Sequence, residues 1–293
     1  MSFQGTYTAI ITPFRNGRVD ESAFQKLVER QVAGGVAGIV PVGTTGESPT
    51  LDMEEHKALI QMAVAFAAGR IEVVAGTGAN STKEAIELTQ AAEAMGATGT
   101  LQVCPYYNKP SQEGLFQHFR TIAENTKLPV MLYSVPGRSG IEIGVDTTAR
   151  LAAACPNITA IKEAGGSVDR ISQLRAALPE DFALLSGDDP LTLPFMVCGA
   201  TGLVSVASNI IPAEINQLVQ ACLAGNYAEA IRLHRHFYPL LRGLMTLDVN
   251  PVPIKTAAHL MNLCSAEFRL PLVGLSDSQI SQLRTLLQSF QLL

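Results

Sequence analysis

Lys162 stands inside an apolar run, Ile158-Thr159-Ala160-Ile161-Lys162. Side chains alternate along a strand, so this spacing puts Lys162 on one face with Ile158 and Ala160. A lysine in a buried strand is partly stripped of water, and desolvation favours the neutral amine over the ammonium. A neutral amine adds to ketones and forms a Schiff base. The competing reading is a structural lysine paired with Glu163 or an aspartate. Gly43-Thr44-Thr45-Gly46-Glu47 offers two hydroxyls and backbone N–H groups in a tight loop before a helix, which suits a small carboxylate. The alternative there is a turn with an N-cap. Tyr107 and Tyr133 either relay protons or pack with a bonded hydroxyl. Arg138, in the loop Pro136-Gly137-Arg138-Ser139-Gly140, either clamps a second carboxylate or sits solvated at the surface.

Other patterns exclude chemistry. His234-x-His236 has the look of a metal pair, but it lies in a helical pattern, where i and i+2 point apart. Gly76-Thr77-Gly78-Ala79-Asn80-Ser81 lacks the third glycine of a dinucleotide loop. No Walker A, H-E-x-x-H or EF-hand pattern occurs. No metal or nucleotide cofactor is expected, which leaves the lysine as the electron sink for carbonyl chemistry. Met62, Met95, Met196 and Met245 read as core filler.

Eight short apolar runs must position these groups: 6–14, 38–43, 71–76, 98–105, 129–136, 158–164, 182–188 and 201–208. Each is bounded by Gly, Pro or polar residues, as buried parallel strands should be. Helical patterns alternate with them. Ser81 and Glu84 have capping-box spacing, and Gly96 sits where that helix should end. Eight strand–helix units ending near residue 224 predict an α/β fold, a (β/α)8 TIM barrel over 1–225. Three helical patterns then predict a C-terminal helical subdomain over 226–293. In a barrel, catalytic groups sit at the C-terminal strand ends. Thr44, Tyr107, Tyr133, Lys162, Gly187, Asp188 and Ser205 all fall at or near such ends.

The chain has 293 residues, 47% hydrophobic and 16% charged, with net charge −5. Without a Lys/Arg run, nucleic acid and anionic membrane are poor partners. No stretch of about 20 residues is apolar enough to span a bilayer. The opening MSFQGTYTAI has no basic segment followed by an apolar one, so no secretory signal is expected. The cysteines Cys104, Cys155, Cys198, Cys222 and Cys264 are odd in number and scattered, as reduced thiols of a cytosolic protein would be. A low charged fraction also fits an exterior partly buried against another subunit.

In order and spacing, GTTGESPTL, CPYYNKPSQEGLFQHF, YSVPGRSG, IKEAGG, LLSGDD, GATGLVSVASN and NPVPIKTA resemble the dihydrodipicolinate (4-hydroxy-tetrahydrodipicolinate) synthase family. Its wider group is the N-acetylneuraminate lyase-like class I pyruvate aldolases, and the match spans essentially the whole chain. The resemblance implies condensation of pyruvate with L-aspartate 4-semialdehyde, the first committed step of diaminopimelate and lysine biosynthesis. It implies that Lys162 forms the pyruvate imine without any cofactor. Thr45, Tyr133 and Tyr107 would form a proton relay, with Tyr107 reaching across a dimer interface. Thr44 and Thr45 would hold the pyruvate carboxylate beside the backbone of Val204. Arg138 would receive the carboxylate of the semialdehyde, with Gly187 nearby. The implied assembly is a homotetramer of tight dimers.

Two positions depart from the family pattern. Ser134 stands where many members have Asn. Met53 stands where lysine-sensitive bacterial members usually have His, although the resemblance still implies an L-lysine inhibitor site at Ser48, His56, Asn80, Glu84 and Tyr106. Its bland counterpart is that His56 and Glu84 are merely exposed helix residues. Two other functions share the scaffold. A sugar-acid aldolase would generally lack an arginine at Arg138, and a silent ligand-binding paralogue would have lost Lys162 or Tyr133.

Overall fold

The structure is a computed structural model that describes residues 3–293. The apolar runs form β1 (Gly5–Ala9), β4 (Gly38–Val40), β5 (Glu72–Gly76), β6 (Gly99–Val103), β7 (Val130–Ser134), β8 (Ile158–Glu163), β9 (Ala183–Ser186) and β10 (Gly202–Ser205). All pair in parallel, and β1 bonds to both β4 and β10, which closes the eight strands into a barrel. A two-stranded ribbon, β2 (Phe14–Arg15) with β3 (Arg18–Val19), lies outside it. Parallel neighbours need long crossovers. These carry α1 (Glu21–Ala33), α2 (Met53–Ala67), α3 (Thr82–Ala94), α4 (Gln112–Glu124), α5 (Pro136–Ser139), α6 (Val145–Ala154), α7 (Val168–Ala177) and α8 (Thr192–Val197), while α9 (Pro212–Leu223) follows the last strand. Tyr7, Val74, Leu101, Met131 and Leu185 fill the barrel interior. Their strand neighbours Val73, Leu132 and Leu184 face the helices, so two apolar layers follow from the alternation of side chains.

One strand breaks that alternation. The register of β7 against β8 shifts from Val130↔Ile158 to Met131↔Ala160, leaving Thr159 as the extra residue of a bulge. Ile158 therefore packs in the outer layer, while Ala160 lies inside. The expectation that Lys162 shares a face with both is corrected: it shares one with Ala160 alone.

Local signals hold unevenly. Ser81 accepts from the Glu84 N–H, but no return bond from the Glu84 side chain completes the box. Complete boxes lie one helix earlier, at Asp52 and Glu55, and near the C-terminus, at Ser276 and Gln279. Gly96 takes a φ of +88°, as the residue that ends α3 must. The Pro136–Ser139 segment, expected as a loop, forms the single helical turn α5. After α9 come α10 (Tyr227–Thr246), α11 (Val252–Leu260) and α12 (Asp277–Ser289). All five cysteines are free. Burial pushes the Cys104 thiol up to about 12 and those of Cys222 and Cys264 to about 11, which keeps them protonated. Among the described residues, no helix is long and apolar enough to cross a membrane.

Candidate active site

Lys162 lies near the C-terminal end of β8, 7% exposed, with Nζ 4.2 Å from the centre of the Tyr133 ring. Among the described residues, no carboxylate pairs with it at salt-bridge distance. The neighbours that sequence offered as partners are engaged elsewhere. Glu163 points the other way, accepting from Arg170 Nε at 2.6 Å and from the Gly165 N–H at 2.6 Å. Asp189 accepts from the Ser205 hydroxyl and from the N–H groups of Val206 (2.8 Å) and Ala207 (3.2 Å). Burial raises both carboxyls above their usual range, against those bonds. Gly187 explains itself sterically. A Cβ there would stand 3.0 Å from Lys162 Cε and 2.7 Å from Ala164 Cβ, so any larger residue would press on the lysine stem.

One cavity of about 410 Å³ gathers Lys162 with Tyr133, Thr44, Thr45, Arg138 and Gly187. That volume suits small-molecule substrates. The hydroxyl loop is not an N-cap, since Asp52 caps α2 and neither threonine bonds to its first turn. Thr45 is 3% exposed, and its Oγ1 accepts from Asn250 Nδ2 at 3.0 Å. Arg138 is exposed and donates to the Asn250 carbonyl at 3.0 Å, so its guanidinium hangs at the cavity rim. Val204 lies beneath, 1% exposed in the barrel interior, and Val206 forms the wall above it. Tyr107 is not brought to this cavity. It is 87% exposed, on the loop after β6.

Several lining groups escaped the sequence reading. Met245, expected as core filler, lines the cavity beside Val249 and Asn250. All three lie beyond the eighth strand–helix unit, where no strand end marks them. Asp188, which the sequence did place at a strand end, also lines it, its carboxyl raised mainly by burial.

A second buried lysine was likewise unmarked. Lys255, on α11, is 0% exposed and pairs with Glu47, also fully buried, at 2.7 Å. Its Nζ sits 4.1 Å from the Phe14 ring centre and 5.1 Å from that of Phe268. Burial lowers the Lys255 pKa, and Glu47 opposes the shift. Glu47 and Val42, which bracket the threonines, have φ of +56° and +52°. Residues with a Cβ rarely adopt that conformation, and Val, being branched, does so least.

A neighbouring pocket brings together Ser48, Met53, His56, Asn80, Glu84 and Tyr106. His56 is not an exposed helix residue. It is 8% exposed, its Nε2 lies 2.8 Å from the Gly76 carbonyl, and burial holds its imidazole below the usual value. Asn80 accepts from the Tyr106 N–H at 2.8 Å, while Glu84 is exposed.

Comparison with known proteins matches residues 2–290 to the dihydrodipicolinate synthetase family. A 4-hydroxy-tetrahydrodipicolinate synthase of Aquifex aeolicus is 47% identical over 290 residues, covering 99% of this chain and 98% of that protein. The structure of such a synthase from Methylacidiphilum fumariolicum superposes with a TM-score of 0.97 at 53% identity, covering 99% of this chain and 96% of that one. Two further structures carry ligands, each covering 99% of both chains. One, from Acinetobacter baumannii, is complexed with pyruvate (44% identity, TM-score 0.96). The other, from Cyanidioschyzon merolae, has lysine bound (42%, 0.96).

Proposed function

The chain belongs to the dihydrodipicolinate synthetase family, and from that premise we propose that its cavity condenses pyruvate with L-aspartate 4-semialdehyde to give 4-hydroxy-tetrahydrodipicolinate, a lyase reaction of lysine biosynthesis. One observation carries the reading: among the described residues Lys162 is buried without an ion-pair partner, in a cavity that also holds two threonines, Tyr133 and an arginine. The relatives' common activity favours this over the sugar-acid aldolase and the silent paralogue.

The Lys162 amine attacks the pyruvate ketone through its nitrogen lone pair, and loss of water leaves an iminium. Thr44 and Thr45 hold the pyruvate carboxylate next to the Val204 backbone. The iminium nitrogen draws electrons from the methyl carbon, a proton leaves, and an enamine forms. Its carbon attacks the aldehyde of the second substrate, whose carboxylate Arg138 receives. Tyr133, whose ring lies against Nζ, protonates the developing alkoxide. A positioned acid of this kind is worth about 10²–10⁴-fold. The substrate's own amine then adds to the imine carbon, expels Lys162 and closes the ring. The iminium is the electron sink throughout, so the chemistry calls for no cofactor.

Tyr107 completes the relay from a neighbouring subunit, in a homotetramer of tight dimers. Its exposure on its own chain supports that role. The pocket around His56 takes L-lysine as inhibitor, with Met53 in its lining where sensitive bacterial members usually have His. An activity titration with L-lysine checks this, and a flat curve to millimolar concentration would remove it.

The main test is borohydride reduction with pyruvate followed by peptide mass mapping. The expected adduct lies on Lys162, with consumption of the semialdehyde in the unreduced enzyme. No adduct there would sink the mechanism. An adduct without semialdehyde consumption would move the reading to the sugar-acid aldolase.

A further inference from the structure

We propose that Asn250 is a positioning residue for this reaction, one that fixes which way the Thr45 hydroxyl points its proton. The inference rests on the reading above, in which Thr45 serves both the pyruvate carboxylate and the proton relay.

A hydroxyl has one proton to give and two lone pairs. Asn250 Nδ2 donates to Thr45 Oγ1 at 3.0 Å and so occupies one lone pair. The Thr45 proton must then point away from Asn250. Thr45 is 3% exposed, so bulk water is a poor taker, and Tyr133 and Lys162 line the same cavity. Asn250 thus makes Thr45 a donor toward the reacting groups. Its amide oxygen is buried and has no hydrogen-bond partner. Turning the amide over would satisfy that oxygen but would draw the Thr45 proton out of the relay. A buried acceptor left unsatisfied is costly, as a residue held for function rather than stability would be.

The same residue reaches the other substrate's group, because the Asn250 carbonyl accepts from Arg138 at 3.0 Å. Five residues on, Lys255 holds Glu47, two residues past Thr45. The segment from Asn250 to Lys255 therefore grips the hydroxyl loop at two points. The positive φ of Val42 and Glu47 shows why grip is needed, since that loop has a conformation its residues resist.

The experiment compares Asn250→Ala and Asn250→Asp with the parent enzyme, with pyruvate-adduct trapping at Lys162 run on all three. Asn250→Ala should lower kcat about tenfold, because a Thr45 hydroxyl free to rotate presents its proton to the reacting groups only part of the time. Asn250→Asp keeps the size but, as a carboxylate, can only accept. It should lower kcat further, and its activity relative to the parent should rise as pH falls and the carboxyl regains a donor proton. A purely structural role would give no such pH-dependent ratio. In a Thr45→Val background, Asn250→Ala should cost no additional activity. If Asn250→Asp matches the parent at neutral pH, the amide oxygen faces Thr45 and the proposal is overturned. If both variants trap pyruvate and turn over as the parent does, Asn250 positions nothing. A parent enzyme that traps no pyruvate would instead indict the reading of the site itself.

Discussion

Lys162 and Lys255 are both buried lysines, yet the molecule treats them in opposite ways. Lys255 has no exposed surface, one carboxylate at 2.7 Å and two aromatic rings about its Nζ. Lys162 keeps one aromatic ring, loses the carboxylate and gains a cavity. A fully paired buried lysine is fixed in place and inert. One with no counter-ion and open space beside it is left to react. Burial alone therefore does not make a lysine a nucleophile; what matters is what its neighbours decline to offer. Glu163 and Asp189 are near enough in sequence or space to have neutralised Lys162, and each is committed to other donors.

The comparison breaks first if Lys162→Ala keeps activity. Its expected loss is on the order of 10³-fold or more in kcat, with the thermal midpoint nearly unchanged. Lys255→Met should act first on stability, and on activity only through the loosened hydroxyl loop. It strands Glu47 as an unpaired buried charge, for a loss of about 3–5 kcal/mol in denaturant unfolding. Adding Glu47→Gln should return part of that loss, and a double variant no more stable than the single one would show that the pair is not the cause. Arg138→Ala should raise the KM for the semialdehyde and lower kcat/KM about 10²-fold, while leaving the pyruvate adduct intact. An equal loss in adduct formation would deny it the second carboxylate.

The smallest effect concerns a third buried base, with neither ion pair nor cavity. His118 hydrogen-bonds the Thr82 hydroxyl at 2.8 Å and packs edge-on against the Phe119 ring, and burial pushes its imidazole down to about 4. The unfolded chain binds a proton near pH 6.5 that the folded chain refuses until about pH 4, so stability falls as pH drops through that window. The cost at pH 5 is about 2 kcal/mol. His118→Gln should flatten this slope in urea titrations between pH 4 and 7, and an unaltered slope would assign it to other groups.

Lys162 was legible because a charge interrupts an apolar strand, an anomaly visible within five residues. The barrel was legible for a related reason, since eight runs of one kind in alternation leave few other architectures. Lys255 was not, because a lysine in a helical pattern is unremarkable and its partner lies 208 residues away. Asn250 and Met245 were hidden similarly, being cavity residues contributed by a region whose pattern speaks only of helices. The bulge at Thr159 was invisible because counting by twos assumes the period that a bulge breaks. Conversely, Tyr107 was visible as a tyrosine near a strand end, but its reach across an interface came through family likeness alone, and on its own chain it stands 87% exposed and away from the cavity.

The buried pair also bears on how the chain is made. Synthesis delivers Glu47 early and Lys255 more than two hundred residues later. A nascent chain that has emerged as far as Ser205 holds every strand of the barrel and can close it. Until α11 follows, Glu47 must stay hydrated, and the loop bearing Thr44 and Thr45 cannot settle. The order of synthesis thus lets the barrel close before the loop is locked, and the loop's final geometry depends on a residue made after every strand.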